Sequence, residues 1–274
     1  MEDGSVMGRE EKKSAADARL KGIFSPLPAA LLPGVIVMAA WEILVRVLHI
    51  SPSLLPGPLA VLQGLAGIST SGALIDHIVA SLFRVSWGYA LAIATAIPLG
   101  LLLGLVPPMH SLANPIVQFL RPISPLAWIP LALLWFGIGD RSAVFLIYLS
   151  VVLPLTVFTT SGIHRIRPVY RMVARNYGIT GWELARTVIL PGAFPEIVVG
   201  LRITLGTAWL VIVAAEMIAV RSGLGYLILD ARNSLRMDLV IGGMLVIGGI
   251  GLLLDTLVSR LGRLPEARWP RRER

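Results

Sequence analysis

Apolar runs about as long as a membrane is thick alternate with short polar segments along most of this chain. A helix needs about 20 residues to cross the hydrocarbon core of a bilayer. Six runs reach or approach that length: residues 28–48, 82–106, 123–138, 142–163, 197–220 and 239–258. The pattern predicts an all-α polytopic membrane protein with about six transmembrane helices.

Prolines mark the places where these helices are expected to be interrupted. Pro107 and Pro108 follow the second run and should end it, because proline cannot continue the hydrogen-bond ladder of a helix. Pro125 and Pro130 lie inside the third run. That run is therefore the least regular of the six, and we expect it to be kinked.

Composition supports a membrane location and excludes several kinds of site. Only 15% of the 274 residues are charged and the mean hydropathy is +0.78, whereas about 25% of a typical soluble domain is charged. The absence of cysteine excludes a disulfide framework, a thiolate metal site and a cysteine nucleophile. The net charge is +8. Because the arginines of the chain cluster beside apolar runs, this positive charge indicates cytoplasmic loops rather than a nucleic-acid surface.

The distribution of arginine predicts the orientation of the chain, since short cytoplasmic loops are enriched in Lys and Arg. Five arginines lie between the fourth and fifth runs: Arg165, Arg167, Arg171, Arg175 and Arg186. Six more lie at the end of the chain: Arg260, Arg263, Arg268, Arg271, Arg272 and Arg274. Residues 50–80 contain no Lys or Arg, although the loop 221–238 has three arginines and two aspartates. We predict that both termini are cytoplasmic.

The same pattern predicts the division of the chain. Residues 1–25 are polar and balanced in charge, and we expect them to form a flexible cytoplasmic tail. Residues 26–260 form the transmembrane domain, and residues 261–274 form a basic cytoplasmic tail.

The segment from Pro168 to Pro191, which lies outside the predicted spans, also has a helical pattern. Pro168 suits the first position of a helix. Four apolar residues follow at helical spacing: Val169, Met172, Val173 and Tyr177. Gly178 stands where a residue in the left-handed conformation would end this helix.

A second short helix is predicted after Gly178. Thr180 and Glu183 have the spacing of a capping box, and Pro191 is expected to end the helix. Two interpretations of the pair of helices remain open. They form either an interfacial element that lies on the lipid or a docking element for a partner protein.

Charged and aromatic residues inside the spans are candidates for function, because a charge in a membrane is costly. Glu216, near the outer end of the fifth run, could line a translocation path, hold a gate closed, or simply reach water. Trp128 and Trp135 in the third run could face the same path or anchor the chain at the membrane interface. These three residues are the candidates for the path or gate.

Two pairs of charged residues have simpler explanations. Glu42 and Arg46 are four residues apart in the first run and are predicted to form an ion pair on one helical face. Arg202 and Asp255 lie near the inner ends of their runs, where their side chains can extend to water.

No motif of an enzyme is evident. His49, His77, His110 and His164 are scattered and lack the spacing of metal ligands, so no metal site is predicted. The sequence has neither a G-x-S-x-G elbow nor a paired-histidine zinc motif, and it lacks the G-x-x-x-x-G-K-[ST] phosphate loop. A membrane enzyme is therefore disfavoured. A secondary carrier is disfavoured too, because no internal repeat is apparent.

The segment Pro168–Pro191 resembles the EAA loop of binding-protein-dependent ABC importer permeases. The residues that match this motif at its spacing are Ala174, Gly178, Val188, Leu190 and Pro191. Met172 and Val173 stand where the family has a glutamate and an alanine.

Further motifs extend the resemblance over residues 54–255. They are Leu55-Pro56-Gly57-Pro58 after the first run, residues 121–130 and 134–139 in the third, and residues 214–218 and 222–226 at the end of the fifth. In this order they are similar to one branch of that family, the sulfonate, taurine, nitrate and bicarbonate permeases.

The resemblance implies a fold like that of type I ABC importer permeases, in a bacterial inner membrane, and a transport subunit rather than an enzyme. It also implies a homodimer of permeases, two cytoplasmic ABC ATPase subunits and an extracytoplasmic solute-binding protein. This chain would bind no cofactor, and ATP and Mg would be bound by the ATPase. The expected solute is a small anion such as an aliphatic sulfonate or taurine, with nitrate, bicarbonate or a small heterocycle as alternatives.

The resemblance assigns the loop 168–191 to coupling with the ATPase. The residues expected to carry this coupling are Met172, Val173, Ala174, Tyr177, Gly178, Leu190 and Pro191.

Overall fold

The computed structural model describes residues 32–261, and the regular structure of that part of the chain is helical. In chain order the helices are α1 (Leu32–Val47), α2 (Pro58–Thr70), α3 (Ala73–Leu105), α4 (Pro107–Leu120), α5 (Ile129–Phe136), α6 (Asp140–His164), α7 (Pro168–Asn176), α8 (Gly181–Leu184), α9 (Leu190–Ala219), α10 (Leu224–Asn233) and α11 (Met237–Leu261). A 3-10 turn over Pro125–Trp128 precedes α5, and a π turn over Ala185–Ile189 joins α8 to α9.

The chain divides into two compact units after Ala60. In the first unit, α1 carries the ion pair that the sequence predicts, with Arg46 Nε donating to Glu42 Oε1 at 2.5 Å. The predicted first span begins at residue 28, outside the described residues, and α1 is its described part. The predicted tails, residues 1–25 and 261–274, also lie outside them, apart from Leu261 at the end of α11.

Within residues 32–261, four helices are long and apolar enough to cross a membrane. They are α3, α6, the continuous helix over Gly181–Ala219, and α11. These helices confirm the second, fourth, fifth and sixth predicted spans. The continuous helix begins well before residue 197 because the short helix α8 extends it. The helix α10 lies in the segment 221–238, for which a loop was predicted.

The third predicted span is wrong as a single helix. Residues 107–136 form two limbs, α4 and the helix Pro125–Phe136, which meet at 85° and together can make a fifth, broken crossing. The apolar run 123–138 contains only the second limb, which is too short to cross a bilayer alone. Pro107 and Pro108 follow α3 as expected, and they also form the first turn of α4, where the missing N–H of proline is tolerated.

The pair α3 and α6 is packed closely by small residues. One face of α3 carries a buried row at four-residue spacing: Gly88, Ala92, Ala96, Gly100 and Gly104. A Cβ at Gly88 would lie 2.7 Å from the Cβ of Ile147, which is too close for any side chain. Across the contact, Thr160 Oγ1 donates to the Gly100 carbonyl at 3.1 Å. Such packing and hydrogen bonding stabilise helix pairs in lipid, where water does not drive association.

The main core lies where α6 packs between α3 and α9. Most of its fully buried side chains come from these three helices, among them Ala96, Leu146, Ile147, Val151, Leu155, Ala208 and Ile212. The helices α10 and α11 pack against α9. Because α6 is enclosed from both sides, its two ends hold the neighbouring segments in fixed positions.

Pro191 does not end the second short helix, contrary to the prediction. In the π turn, the N–H of Leu190 donates to the carbonyl of Ala185, five residues earlier. The wider turn uses one hydrogen bond fewer than an α-helix, so a residue without an N–H is accommodated directly after it.

The predicted capping box is also not formed. Thr180 is the N-cap residue, but its side chain makes no capping hydrogen bond. The next residue, Gly181, has φ +58°, outside the right-handed helical region, so the first turn lacks the geometry that a capping box requires.

Candidate functional site

A group of polar side chains is joined by hydrogen bonds where α3 and α6 begin and α9 ends, and Ser81, Arg84 and Glu216 at its centre are buried, whereas Ser222 is half-buried and Asp140 exposed. We call these five residues the buried polar network: Ser81, Arg84, Asp140, Glu216 and Ser222. Four of them come from α3, α6 and α9, and Ser222 lies in the segment that connects α9 to α10. An open cavity of about 320 Å³, lined in part by Arg84, Asp140 and Ser222, lies beside the network.

Glu216 is the most deeply buried member of the network, with no exposed surface. Its Oε1 accepts a hydrogen bond from Arg84 Nη1 at 2.7 Å, and both carboxylate oxygens lie 2.8 Å from Ser81 Oγ. Oε2 also accepts from the backbone N–H of Gly225 at 3.0 Å. A carboxylate can be buried only when it is paired and hydrogen-bonded in this way.

Arg84 joins the other members to Glu216. Its side chain is 4% exposed, its Nε donates to Asp140 Oδ1 at 2.8 Å, and its Nη1 donates to the carbonyl of Ser222 at 2.8 Å. Its Nη2 also donates to the hydroxyl of Ser222. One guanidinium thus connects α3, α6, α9 and the segment after α9. Removing one partner of such a buried pair is expected to destabilise the protein strongly.

The backbone of residues 222–225 is shaped by the network. Gly223 has φ +104°, and a Cβ there would overlap the carboxyl group of Glu216. The N–H of Gly223 donates to His77 Nδ1 at 3.1 Å, and that of Leu224 donates to Ser81 Oγ at 2.9 Å. The motif 222–226, noted in the sequence only for its resemblance, therefore has a physical cause in the packing around Glu216.

The interpretation in which Glu216 simply reaches water is wrong, because its side chain is enclosed and paired. Arg84, Ser81, Asp140 and Ser222 were not among the candidate residues predicted from the sequence. Arg84 lies inside a predicted span, and the rule that singled out Glu216 could have found it too. Nothing in the sequence indicated that Arg84 pairs with Glu216, because the two residues are 132 positions apart.

Trp128 and Trp135 are not brought together with Glu216. Trp128 ends the 3-10 turn and is half-buried against the main core. Trp135 is 55% exposed and contacts the rings of Phe136 and Phe145. In the described part of the chain, neither tryptophan shares a hydrogen bond, ion pair or ring contact with Glu216. Their place in a path stays a prediction.

At the other end of α6, the segment 168–191 is fixed to the bundle by its buried side. Ala174, Leu184 and Ile189 are buried in one cluster with Ile163 of α6 and Ile197 of α9. Leu190 is half-buried against this cluster. Gly178 has φ +79°, which confirms the left-handed turn expected there. The π turn then leads through Leu190 and Pro191 into α9.

The outer side of the same segment is apolar and exposed. Met172 is 62% exposed, Tyr177 81% and Trp182 77%, and Val169 and Val173 are also exposed. Arg167, Arg175 and Arg186 are exposed around them. Exposed apolar groups within a basic surface are typical of an interaction site.

Other charged residues and histidines take places that the sequence did not show. Arg202 and Asp255 form a bidentate ion pair, with Nε–Oδ1 at 2.6 Å and Nη2–Oδ2 at 2.7 Å, so each is held by the other rather than by water alone.

His110 and His164, which are far apart in the sequence, lie together in the structure, with their ring centroids 4.9 Å apart. Among the described residues, no group of three His, Cys, Asp or Glu side chains could hold a metal ion.

Comparison with known proteins defines the class of this helical membrane domain. Residues 96–270 match the family described as binding-protein-dependent transport system inner membrane component. In an inward-facing conformation, the MetNI methionine ABC transporter contains a chain with the same fold. The TM-score is 0.57 at 18% identity, over 69% of this chain and 96% of that chain. The fold is thus that of a type I ABC importer permease.

Several relatives are similar over most of their length. A putative ABC transporter permease of Methanocaldococcus jannaschii is 41% identical over 229 residues, which are 82% of this chain and 85% of that protein. The taurine transport system permease protein TauC of Escherichia coli is 36% identical over 83% of this chain and 85% of its own. The nitrate import permease protein NrtB of Synechocystis is 34% identical over 86% and 90%.

The chain belongs to the binding-protein-dependent transport system inner membrane component family and is a permease subunit of an ABC importer. It is a transport component and not an enzyme. Permeases of this family work with an ATPase and a solute-binding protein.

Proposed function

We propose that this chain forms the translocation pathway for a small anionic solute such as an aliphatic sulfonate or taurine. The observation that carries the proposal is the 36% identity to a taurine permease over 83% of the chain. The similarity to a nitrate permease favours nitrate, or the related anion bicarbonate, as the second candidate. A small heterocycle is the remaining alternative.

The solute assignment is tested with the complete importer in proteoliposomes. Uptake of radiolabelled taurine, an alkane sulfonate, nitrate and bicarbonate would be compared, with the cognate binding protein present and ATP enclosed with the ATPase. We expect the sulfonate or taurine to be accumulated. A binding protein that binds a sugar or a peptide would contradict the assignment to anions.

The proposed assembly contains two copies of this permease, two cytoplasmic ATPases and one external binding protein. ATP and Mg bind to the ATPases, because this chain has no phosphate loop. The arginines near the ends of the spans support an inner-membrane orientation with both termini in the cytoplasm. The segment 168–191 then faces the ATPase, and the buried polar network lies towards the outside.

The orientation is tested by labelling single cysteines, for which this cysteine-free chain needs no prior substitution. Asn176→Cys and Arg268→Cys should be protected from an impermeant thiol reagent in intact cells and react after the membrane is opened. Labelling of either position in intact cells would contradict the predicted cytoplasmic location of that position.

The segment 168–191 is proposed to be the coupling element that receives the motion of the ATPase. Met172, Val173 and Tyr177 are exposed and suited to fill a groove of the partner. Ala174 and Leu190 pack against the bundle, and Pro191 continues the segment into α9. A segment held in this way can transmit force, whereas a flexible loop would absorb it.

Glu216 is proposed to help hold the outer end of the pathway closed. Its contacts with Ser81, Arg84 and Gly225 connect the start of α3 to the segment after α9. A carboxylate would repel an anionic solute, so closure fits Glu216 better than solute binding does. Separation of α3 from α9 would have to break these hydrogen bonds.

A further inference from the structure

A small polar cavity lies between α4 and α6, away from the buried polar network. Its volume is about 100 Å³, and the polar residues that line it include His110, Asn114, Gln118, Thr160, Ser161 and His164. A cavity of this size holds several water molecules. It lies in the half of the bundle that carries the segment 168–191, because α4 begins and α6 ends there.

The helix α4 is two-sided around this cavity. His110, Asn114 and Gln118 are four residues apart and line it, whereas Leu112 and Ile116 lie on the other side of α4 and are exposed. Polar side chains inside a membrane almost always face the bundle interior or a water-filled path. The polar side of α4 is therefore better explained by a hydrated path than by packing.

The cavity offers hydrogen-bond donors to a ligand. Gln118 Nε2 lies 3.5 Å from Asn114 Oδ1, a contact that engages the acceptor atom of Asn114 and leaves amide N–H groups of both residues as donors. Ser161 adds a hydroxyl. The Thr160 hydroxyl, by contrast, already donates to the carbonyl of Gly100. These donors suit the oxygen atoms of an anion.

Arg171 supplies the positive charge near this cavity. The rings of His110 and His164 meet at 4.9 Å at its edge. Arg171 lies next to them, with Nη2 donating to the carbonyl of Ile163 at 2.8 Å and a buried Nε that has no hydrogen-bond partner in the described structure. No Asp or Glu is among the described residues that line the cavity. The nearby carboxylate of Glu196 is held by Arg165 at 2.8 Å.

We propose that this cavity binds the oxyanion group of the transported solute on its way to the cytoplasm. The inference rests on the proposed function and orientation, and it adds a site within this chain. Asn114, Gln118 and Ser161 would donate hydrogen bonds to the oxygens, while the guanidinium of Arg171 would favour negative charge. Such a site would explain why α4 keeps polar residues in a membrane domain.

The test uses paired thiol reagents on single cysteines in the assembled importer, in inverted membrane vesicles. Asn114→Cys is exposed to a sulfonate-bearing methanethiosulfonate and to its trimethylammonium counterpart. The labelling rate of each reagent is divided by the rate at which the same reagent reacts with a small thiol in solution, which corrects for the different reactivities of the two reagents. We expect the sulfonate reagent to react at least tenfold faster. Ile116→Cys, on the other side of α4, is the matched control and should react slowly with both.

Two further measurements identify the cause. Adding Arg171→Gln to the Asn114→Cys chain should lower the preference for the anionic reagent severalfold. Taurine at millimolar concentration should slow labelling at position 114 and leave position 116 unchanged. Equal rates with the two reagents, or no reaction at position 114, would overturn the proposal.

The outcome separates this inference from the solute assignment, because labelling requires no transport. An anion preference at position 114 in an importer that accumulates no sulfonate would support the cavity and refute the proposed solute. Sulfonate uptake by a chain whose position 114 shows no preference would leave the function standing and refute the cavity.

Discussion

The buried polar network and the segment 168–191 lie at opposite ends of α6, about 37 Å apart at the usual rise of a helix. In the network, Arg84 forms ion pairs with both Asp140 and Glu216 of the same chain. In the segment, apolar and basic side chains are exposed to solvent. The contrast indicates that the polar groups of the network are paired within the chain, whereas the segment 168–191 presents a surface suited to bind a partner.

The largest effect on stability is expected for Arg84→Ala. It leaves the carboxylate of Glu216 buried without its cation, and breaking a buried pair costs about 3–5 kcal/mol. The melting temperature of the detergent-solubilised permease should fall, together with its level in the membrane. Arg46→Ala removes an exposed pair and serves as the control that should melt like the parent. An unchanged melting temperature for Arg84→Ala would show that the network is not structural.

A matched pair of glycine substitutions sharpens the comparison. Gly178 and Gly223 both have positive φ, but a Cβ at Gly178 meets no atom within 4 Å, whereas at Gly223 it overlaps Glu216. Gly178→Ala should cost only the left-handed penalty of roughly 1–2 kcal/mol. Gly223→Ala should cost clearly more, because the carboxylate must also move. Chemical denaturation of both variants measures the difference, and equal losses would contradict the steric explanation.

Glu216→Gln is expected to affect transport more than assembly. Arg84 keeps its contacts with Asp140 and Ser222, so the loss of stability should be smaller than that of Arg84→Ala. Uptake by proteoliposomes that contain equal amounts of folded complex should nevertheless be impaired. Normal uptake in this variant would leave Glu216 with a structural role alone.

Tyr177→Asp should leave stability nearly unchanged, because the side chain is 81% exposed. We expect the variant to insert normally but to dock the ATPase weakly, or to lose the stimulation of hydrolysis by loaded binding protein. Gly178→Val should have the same functional effect, because valine disfavours the left-handed conformation of the turn at this position. Pull-down of the ATPase and hydrolysis rates in proteoliposomes measure both steps. If both variants dock, hydrolyse and transport like the parent, the segment is only a surface helix.

Several features that depend on neighbouring residues were predicted from the sequence, although the capping box at Thr180 is not formed. The long apolar runs, the Glu42–Arg46 pair and the left-handed turn at Gly178 are all set by local spacing. The pairing of Arg84 with Glu216 was not found, because it joins helices that only tertiary packing brings together. The helix α4 was missed for a different reason: His110, Asn114 and Gln118 make it too polar to be recognised by its hydropathy.

The π turn over Ala185–Ile189 has a mechanical consequence. Because it joins α8 to α9 without a break, Trp182 and Glu216 belong to one rod of 39 residues, about 58 Å long at the usual rise of a helix. If such a rod tilts by about 5° around one end, its other end moves by roughly 5 Å. A hydrogen bond is lost beyond about 3.5 Å between heavy atoms. A small rotation imposed at Trp182 is therefore enough to pull the carboxylate of Glu216 out of reach of Arg84.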